Sequence, residues 1–174
     1  MRLRWLLPLL VLLAACAAPP ESADRADAPS IVFGYFDLTA APSDLDWVSL
    51  RRSDGRRYLI PATDGFFFYV GVETGAYRVD QFGGTSGNPP LRRRPVEYGF
   101  DAKARNPTEV RIVRPGVYFL GAYEFTAPSG ELRPVPVPDE RQLLQRVIRE
   151  LETDKDLRRD PRPLRLARAR LAEL

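Results

Sequence analysis

The chain has 174 residues, a formal net charge of +3 at neutral pH, one cysteine and no histidine. Without histidine, nucleophilic catalysis of the Ser-His and Cys-His kinds is excluded, and zinc and copper sites lose their commonest ligand. A lone cysteine also excludes a disulfide within the chain, so the fold depends on packing alone.

The first residues have the pattern of an exported protein. Arg2 and Arg4 form a positively charged start, residues 5–13 are apolar, and small residues lead to the only cysteine. The apolar run is shorter than the roughly 20 residues that a membrane-spanning helix needs, so it predicts a signal peptide over residues 1–15. The segment Leu13-Ala14-Ala15-Cys16 resembles the lipobox of bacterial lipoproteins, in which the cysteine is lipidated and becomes the new N-terminus.

This resemblance implies an anchor and a location. It implies that Cys16 carries fatty acyl chains, palmitate among them, and holds the chain to a membrane. Ala17 is not the aspartate that retains lipoproteins at the inner membrane, so the resemblance implies the periplasmic face of the outer membrane. Loss of Arg2 and Arg4 with the signal lowers the net charge from +3 to +1, which argues against a nucleic-acid partner. The alternative is a secretory signal whose cysteine is incidental.

After the cysteine, the pattern predicts a tether and then a strand-rich body. Residues 16–30 are small, charged and proline-containing, as in a flexible tether. Ser53-Asp54-Gly55 predicts a hairpin, Pro61 a strand end and residues 83–95 a long loop. Short apolar or alternating runs predict strands at residues 31–36, 47–51, 58–60, 66–70, 77–80, 96–100, 109–113 and 117–125. We therefore expect a mainly β domain over residues 31–126, a seven- to eight-stranded antiparallel β-sandwich.

Glycine twice precedes an aromatic strand in this body, in Gly65-Phe66-Phe67-Phe68-Tyr69-Val70 and in Gly75-Ala76-Tyr77-Arg78-Val79. Together these segments resemble the paired strands of carboxypeptidase-regulatory-like (transthyretin-like) β-sandwiches. A third segment is similar to part of small bacterial lipoproteins that contain such domains, namely Pro115-Gly116-Val117-Tyr118-Phe119-Leu120-Gly121. The resemblance implies a β-sandwich that binds, braces or spaces, a fold that is rarely catalytic.

The C-terminal part predicts two helices behind a connector. Residues 127–138 hold four prolines and are expected to be an extended connector. Asp139 and Gln142 form a capping-box pattern for a first helix ending near Thr153, and Asp160-Pro161 opens a second. We expect residues 139–174 to form a helical hairpin packed on the sandwich or on itself.

The first of these helices carries an apolar stripe, consisting of Leu143, Leu144, Val147, Ile148 and Leu151. Leu164, Ala167, Leu171 and Leu174 share one face of the second. The favoured interpretation is that the stripe packs on the protein's own sheet. The alternatives are that it docks a partner or lies on the membrane beside the anchor.

Only one charged motif suggests a ligand. Arg92, Arg93 and Arg94 are consecutive in the predicted long loop and are candidate anion-binding residues for lipid headgroups, phosphates or peptidoglycan carboxylates. The favoured interpretation of the run is nevertheless a solvated loop, since runs of like charge are usually solvated. The glycines beside them lack the lysine of a phosphate-binding loop, and Asp44 and Asp46 lack the spacing of a calcium loop. No metal or cofactor is therefore predicted.

Acidic and aromatic strand residues leave one enzymatic alternative open. Asp80, Glu97 and Glu124 could serve as paired carboxylates for glycoside hydrolysis, although the favoured interpretation of each is a solvated strand position. Four aromatics could stack on sugars or pack in the core, namely Trp47, Tyr69, Tyr98 and Tyr118. We therefore expect a membrane-anchored, non-catalytic binding or structural module of the cell envelope, with an envelope protein or peptidoglycan as partner. The alternative is a carboxylate-dependent hydrolase of envelope polysaccharide.

Overall fold

A computed structural model describes residues 30–37, 39–40, 44–86, 94–99, 109–126, 131–136 and 139–174. The predicted signal peptide, Cys16, Arg92 and Arg93 lie outside the described residues. The strands are β1 (Ser30–Asp37), β2 (Asp44–Arg52), β3 (Arg57–Thr63), β4 (Phe66–Val72), β5 (Gly75–Ser86), β6 (Arg94–Gly99), β7 (Val110–Ile112), β8 (Val117–Thr126) and β9 (Glu131–Val135). Two α-helices follow, α1 (Glu140–Thr153) and α2 (Pro161–Glu173), with a 3₁₀ turn (Leu157–Arg159) between them.

The described strands form one continuous sheet. Its neighbours follow the order β6-β5-β2-β3-β4-β1-β8-β9, and β7 also pairs with β5. Strand β3 joins the two halves, because it pairs with β2 as far as Pro61 and with β4 at Ala62 and Thr63. These pairings confirm the predicted mainly β fold, and they do not confirm a sandwich of two sheets.

The sheet is mixed, so the prediction of a purely antiparallel sheet is wrong. Strands β1 and β8 run parallel, from Ile31 opposite Val117 to Asp37 opposite Glu124. The other described pairings are antiparallel. Parallel neighbours need a long crossover connection, and the chain from β2 to β7 supplies it. The polarity pattern within a strand does not encode the direction of its neighbour, so the sequence could not reveal this pairing.

An aromatic cluster inside the sheet shows how strongly it curls. Phe36 of β1 stacks on Phe67 of β4 and on Tyr123 of β8, with ring centroids 5.3 and 5.1 Å apart. The same ring lies 4.1 Å from Phe82 of β5, edge to face. Strands β1 and β5 are separated by three strands in the sheet order. Their side chains can meet only because the sheet bends back on itself around a shared core.

The two helices cover the opposite face of β1. Ile31 and Phe33 point away from the inner core and pack with the apolar stripe of α1 and with Ala167 of α2. Leu144, Val147, Ile148 and Leu151 are all at most 9% exposed, so the prediction that the stripe packs on the protein's own sheet is confirmed. Ala167 is likewise fully buried, whereas Leu174 is 40% exposed and lies outside this contact.

Both helices begin where their capping residues predicted. A carboxylate oxygen of Asp139 accepts a hydrogen bond from the backbone N–H of Gln142 at 3.2 Å. Asp160 accepts one from the backbone N–H of Arg162 at 3.0 Å, and Pro161 occupies the first helical position. These contacts satisfy N–H groups that have no partner within the helix.

Two predictions that relied on proline are wrong. Pro61 does not end β3, which continues to Thr63. Residues 131–135, which lie in the predicted connector, form β9 and pair with β8 through Pro134. Strand β9 lies at the end of the described sheet order, and edge strands are where a sheet tolerates proline. Pro61 is exposed and lies where β3 passes from β2 to β4.

The predicted long loop over residues 83–95 is also too long, because β5 continues to Ser86 and β6 begins at Arg94. Gly83 lies within β5 and pairs with Trp47 of β2. A Cβ atom on Gly83 would lie 2.0 Å from two carbons of the Trp47 ring. Glycine is therefore needed here for the close approach of an indole, and not for a turn.

Candidate anion-binding site

The hairpin between β2 and β3 brings four arginines together. Residues 51–57 read Arg-Arg-Ser-Asp-Gly-Arg-Arg, with the arginines on the two strand ends. The turn closes through the Gly55 N–H, which donates to the Arg52 carbonyl at 2.9 Å. Gly55 has a φ of +94°, a conformation that glycine adopts without the steric cost that a Cβ brings. The predicted Asp-Gly hairpin is thus confirmed, and it positions its charged flanks at one end of the sheet.

Strand register extends this cluster into a row. Arg51 lies directly opposite Arg57 of β3 on one side and Arg78 of β5 on the other. Residues that pair directly across antiparallel strands point to the same face of the sheet. Their neighbours Leu50 and Val79 are buried in the inner core, so the three arginines lie on the outer face. Like charges in direct opposition destabilise strand pairing unless negative charge is nearby.

A cavity of about 250 Å³ opens beside this row. Its lining consists of Arg51, Arg52, Ser53, Ala76, Tyr77, Arg78 and Glu109. We call it the arginine pocket. Three of its seven lining residues are arginines, and only Ala76 and Tyr77 are of an apolar residue type. A pocket of this size and polarity suits a small anionic group, because sites for drug-sized organic ligands are typically about 300 Å³ or larger and mostly apolar.

Carboxylates neutralise some of these arginines. Arg52 pairs with Asp54 at 2.9 Å and with Glu73 at 2.5 Å. The second oxygen of Glu73 pairs with Arg56, also at 2.5 Å. A carboxylate that is shared by two guanidinium groups holds the hairpin to the turn between β4 and β5. One wall of the pocket is therefore fixed before any ligand arrives.

Two arginines of the row have no such partner. Arg57 pairs with Asp80 at 3.3 Å, but neither Arg51 nor Arg78 has a carboxylate within 4.0 Å in the described part of the chain. Glu109 lines the same pocket and forms no ion pair with any other described residue. Arg51 is half-buried and Arg78 is exposed. The pocket thus presents two unneutralised guanidinium groups, with one carboxylate at its rim.

Tyr77 supports the floor of the pocket. Its ring is 1% exposed, and its hydroxyl donates a hydrogen bond to the backbone carbonyl of Glu73 at 2.9 Å. Burial raises the pKa of the Tyr77 phenol well above its ordinary value, and the adjacent phenol of Tyr58 adds to the rise. Tyr77 therefore remains a neutral donor and positions the Glu73 backbone.

The predicted anion-binding residues do not contribute to this pocket where they are described. Arg94 is exposed at the start of β6, opposite Ser86. It lies about 26 Å along β5 from Arg78, at roughly 3.3 Å per residue. Arg92 and Arg93 fall outside the described residues, as does Cys16, so their predicted roles stay predictions. Arg51 and Arg78 were not among the predicted anion-binding residues, although the doubled arginines on both sides of Asp54-Gly55 were a visible signal for Arg51.

The other candidate residues are mostly engaged within the protein. Asp80 pairs with Arg57, Glu124 pairs with Arg133, and Glu97 is exposed on β6. Three of the predicted aromatic candidates pack against the inner core, namely Tyr69, Tyr98 and Tyr118. Among the described residues no three potential metal ligands come together.

Comparison with protein-family models, with curated proteins and with solved structures finds no match for this chain. The resemblance to lipoproteins and to transthyretin-like domains therefore stays a prediction. Among the described residues, neither helix has the length and apolar character needed to span a membrane.

Proposed function

We propose that this protein is a lipid-anchored component of the cell envelope whose folded part is a non-catalytic module that binds anionic groups. The observation that carries the binding role is the arginine pocket, in which Arg51 and Arg78 have no acidic partner among the described residues. A guanidinium group keeps its charge at every physiological pH and donates in a planar fork that matches carboxylate and phosphate oxygens. A bound anion would relieve the repulsion between the two arginines.

The anchoring role is supported by the lipobox pattern that ends at Cys16. We propose that acyl chains on this cysteine, palmitate included, hold the protein at the periplasmic face of the outer membrane. One acyl chain binds a membrane only reversibly, whereas two or more give stable anchoring. We also propose that the curled sheet is a variant of the transthyretin-like sandwich, a proposal supported by the 4.1 Å contact between Phe36 and Phe82 across its interior.

The anchor is tested by labelling. Bacteria that express the full-length chain are grown with labelled palmitate, beside a Cys16→Ser variant. We expect label on the wild-type protein, none on the variant, and release of the variant from the membrane fraction. Equal membrane association of the two proteins, without label on either, would overturn the anchoring role.

The enzymatic alternative has one observation in its favour. Asp80 has a buried carboxylate oxygen, Oδ1, that lacks a hydrogen-bond partner in the described part of the chain. Against it, the other oxygen of Asp80 is engaged in an ion pair with Arg57 at 3.3 Å, whereas glycoside hydrolysis requires two carboxyl groups that are free to act on the substrate. We expect no release of reducing ends when the purified protein is incubated with envelope polysaccharide. Release that Asp80→Asn abolishes would establish the hydrolase instead.

A further inference from the structure

The arginine pocket lies at the end of the sheet where the described chain begins. Ser30, the first residue of β1, is opposite Val72, the last residue of β4. Glu73 follows directly and bridges Arg52 and Arg56 of the hairpin. We call this end, where residues 16–29 join the sheet, the tethered end. The connection matters because 14 residues reach at most about 50 Å even when fully extended.

Charge is distributed unevenly between the two ends. The tethered end carries Arg51, Arg52, Arg56, Arg57, Arg78, Arg111 and Arg114, against the carboxylates of Asp54, Glu73, Asp80 and Glu109. The opposite end carries Asp37, Asp46, Asp64 and Glu124. Of the described basic residues at that opposite end, Arg133 and Arg146 pair with Glu124 and Asp64, and Arg94 is exposed at the start of β6. Among the described residues the tethered end thus has the larger excess of positive charge, so an anionic membrane surface would attract it more strongly than the opposite end.

We propose that the arginine pocket binds the phosphate group of a lipid headgroup, so that the tethered end faces the membrane that holds the anchor. This inference rests on the lipid anchor of the proposed function and names the ligand of the same module. A phosphate offers more acceptor oxygens than a carboxylate, so that Arg51 and Arg78 can each donate to different oxygens of one group. The Ser53 hydroxyl in the lining provides a further donor. The small volume of the pocket admits a headgroup phosphate without its acyl chains.

The pocket also contains an element that opposes binding. Glu109 lines it and forms no ion pair with either free arginine. Its carboxylate repels a phosphate at the rim, since the two charges have the same sign. Removing that charge should therefore strengthen binding, whereas a purely structural role for these residues would not produce such a gain.

The test measures binding that is independent of the anchor. The full chain with Cys16→Ser is mixed with vesicles of phosphatidylethanolamine and phosphatidylglycerol, and separately with vesicles of phosphatidylcholine. The pocket variant is Arg51→Gln/Arg78→Gln. The matched control is Arg158→Gln/Arg159→Gln, which removes the same charge from two exposed arginines in the 3₁₀ turn beside the helices. Thermal unfolding of both variants checks that the fold is intact.

We expect the pocket variant to lose at least about tenfold in affinity for the anionic vesicles, which corresponds to about 1.4 kcal/mol, because it removes two charged hydrogen-bond donors. The control should change by less than about threefold, and Glu109→Gln should bind more tightly than the parent. Equal losses of vesicle affinity in the pocket variant and in the control would show that the attraction is unspecific, and would overturn the assignment of phosphate binding to the arginine pocket.

A second arm distinguishes the source of the phosphate. Inorganic phosphate and glycerol phosphate are titrated into the same proteins. One outcome would overturn the lipid assignment and identify a site for soluble phosphate. In that outcome the soluble anions bind in a way that requires Arg51 and Arg78, and the protein does not prefer anionic vesicles over phosphatidylcholine vesicles. The failure of the anchor and the failure of the pocket are distinguishable. An absence of palmitate label on Cys16 would contradict the anchor, but it would not affect vesicle binding that depends on Arg51 and Arg78.

Discussion

The contact between Gly83 and Trp47 gives a sharp test of the fold. In a Gly83→Ala variant, the new Cβ would lie 2.0 Å from the Cε2 and Cζ2 atoms of Trp47 and 2.5 Å from its Nε1. Favourable carbon–carbon contacts lie at about 3.5–4.0 Å, so the indole must move by about 1.5 Å or more. Overpacking of this kind typically costs about 1–3 kcal/mol.

The net loss of unfolding free energy is smaller than the steric cost, because alanine restricts the unfolded chain more than glycine does. That restriction stabilises by about 0.4–1 kcal/mol wherever the alanine fits. We therefore expect Gly83→Ala to lower the free energy of unfolding by about 1–2 kcal/mol. For a chain of this length, each kcal/mol corresponds to a fall in Tm of about 2–4 °C. Gly99→Ala is the matched control, because a Cβ there would meet no atom within 4 Å.

The assay is urea unfolding followed by circular dichroism in a double-mutant cycle. In a Trp47→Ala background the steric conflict is gone, so Gly83→Ala should become neutral or stabilising. The coupling energy between the two sites should then be about 1–3 kcal/mol. The reasoning is refuted if Gly83→Ala costs the same free energy in both backgrounds, or if Gly99→Ala destabilises as much as Gly83→Ala.

Three further predictions concern the helices and the hairpin. Leu144→Ala should lower the free energy of unfolding by about 2–5 kcal/mol in chemical denaturation, because Leu144 is fully buried between α1 and the sheet. A loss of less than about 1 kcal/mol would contradict that packing. Hydrogen bonds from the Arg162 side chain and backbone lower the pKa of Asp160, so the carboxylate contributes stability above its unfolded pKa of about 3.9 and loses it as the pH falls through the lower folded pKa. Asp160→Asn keeps a capping oxygen but loses the charge, so its free energy of unfolding should be lower than that of the wild type at neutral pH and equal to it in strong acid. A difference in the free energy of unfolding that persists in acid would contradict this expectation. Glu73→Gln removes the carboxylate shared by Arg52 and Arg56, so it should lower the free energy of unfolding by about 1 kcal/mol yet strengthen phosphate binding in a titration. The reason for the gain is that Arg52 lines the pocket and would lose an acidic partner, so a loss of both stability and phosphate binding would contradict this expectation.

Local chemistry predicted those elements whose signals lie within a few residues of one another. Asp139 and Asp160 cap the helices that their spacing indicated, because a capping oxygen bonds to an N–H only two or three residues away. Asp54 and Gly55 form the hairpin for the same reason, since a two-strand turn is a short-range structure. The apolar stripe of α1 likewise predicted burial, and the stripe is buried against the sheet.

The candidate site could not be predicted in this way. Arg51 and Arg78 are distant in the chain and become neighbours only through the register of β2 and β5. Register depends on how both strands share a core, so it is a property of the whole sheet. Residues 92–94 were predicted as an anion site because their three arginines are consecutive in the sequence. The arginines of the pocket are instead contributed by different strands.

The amino-acid sequence by itself indicated eight of the nine described strands, both helices and where the helices begin, because those outcomes follow from side-chain periodicity and from hydrogen bonds to near neighbours. Only the tertiary structure decided that β1 pairs in parallel with β8, that Gly83 must leave room for an indole, and that two arginines share a pocket. Each of these depends on contacts between residues far apart in the chain, whose free energy is realised only when the sheet curls and closes its core.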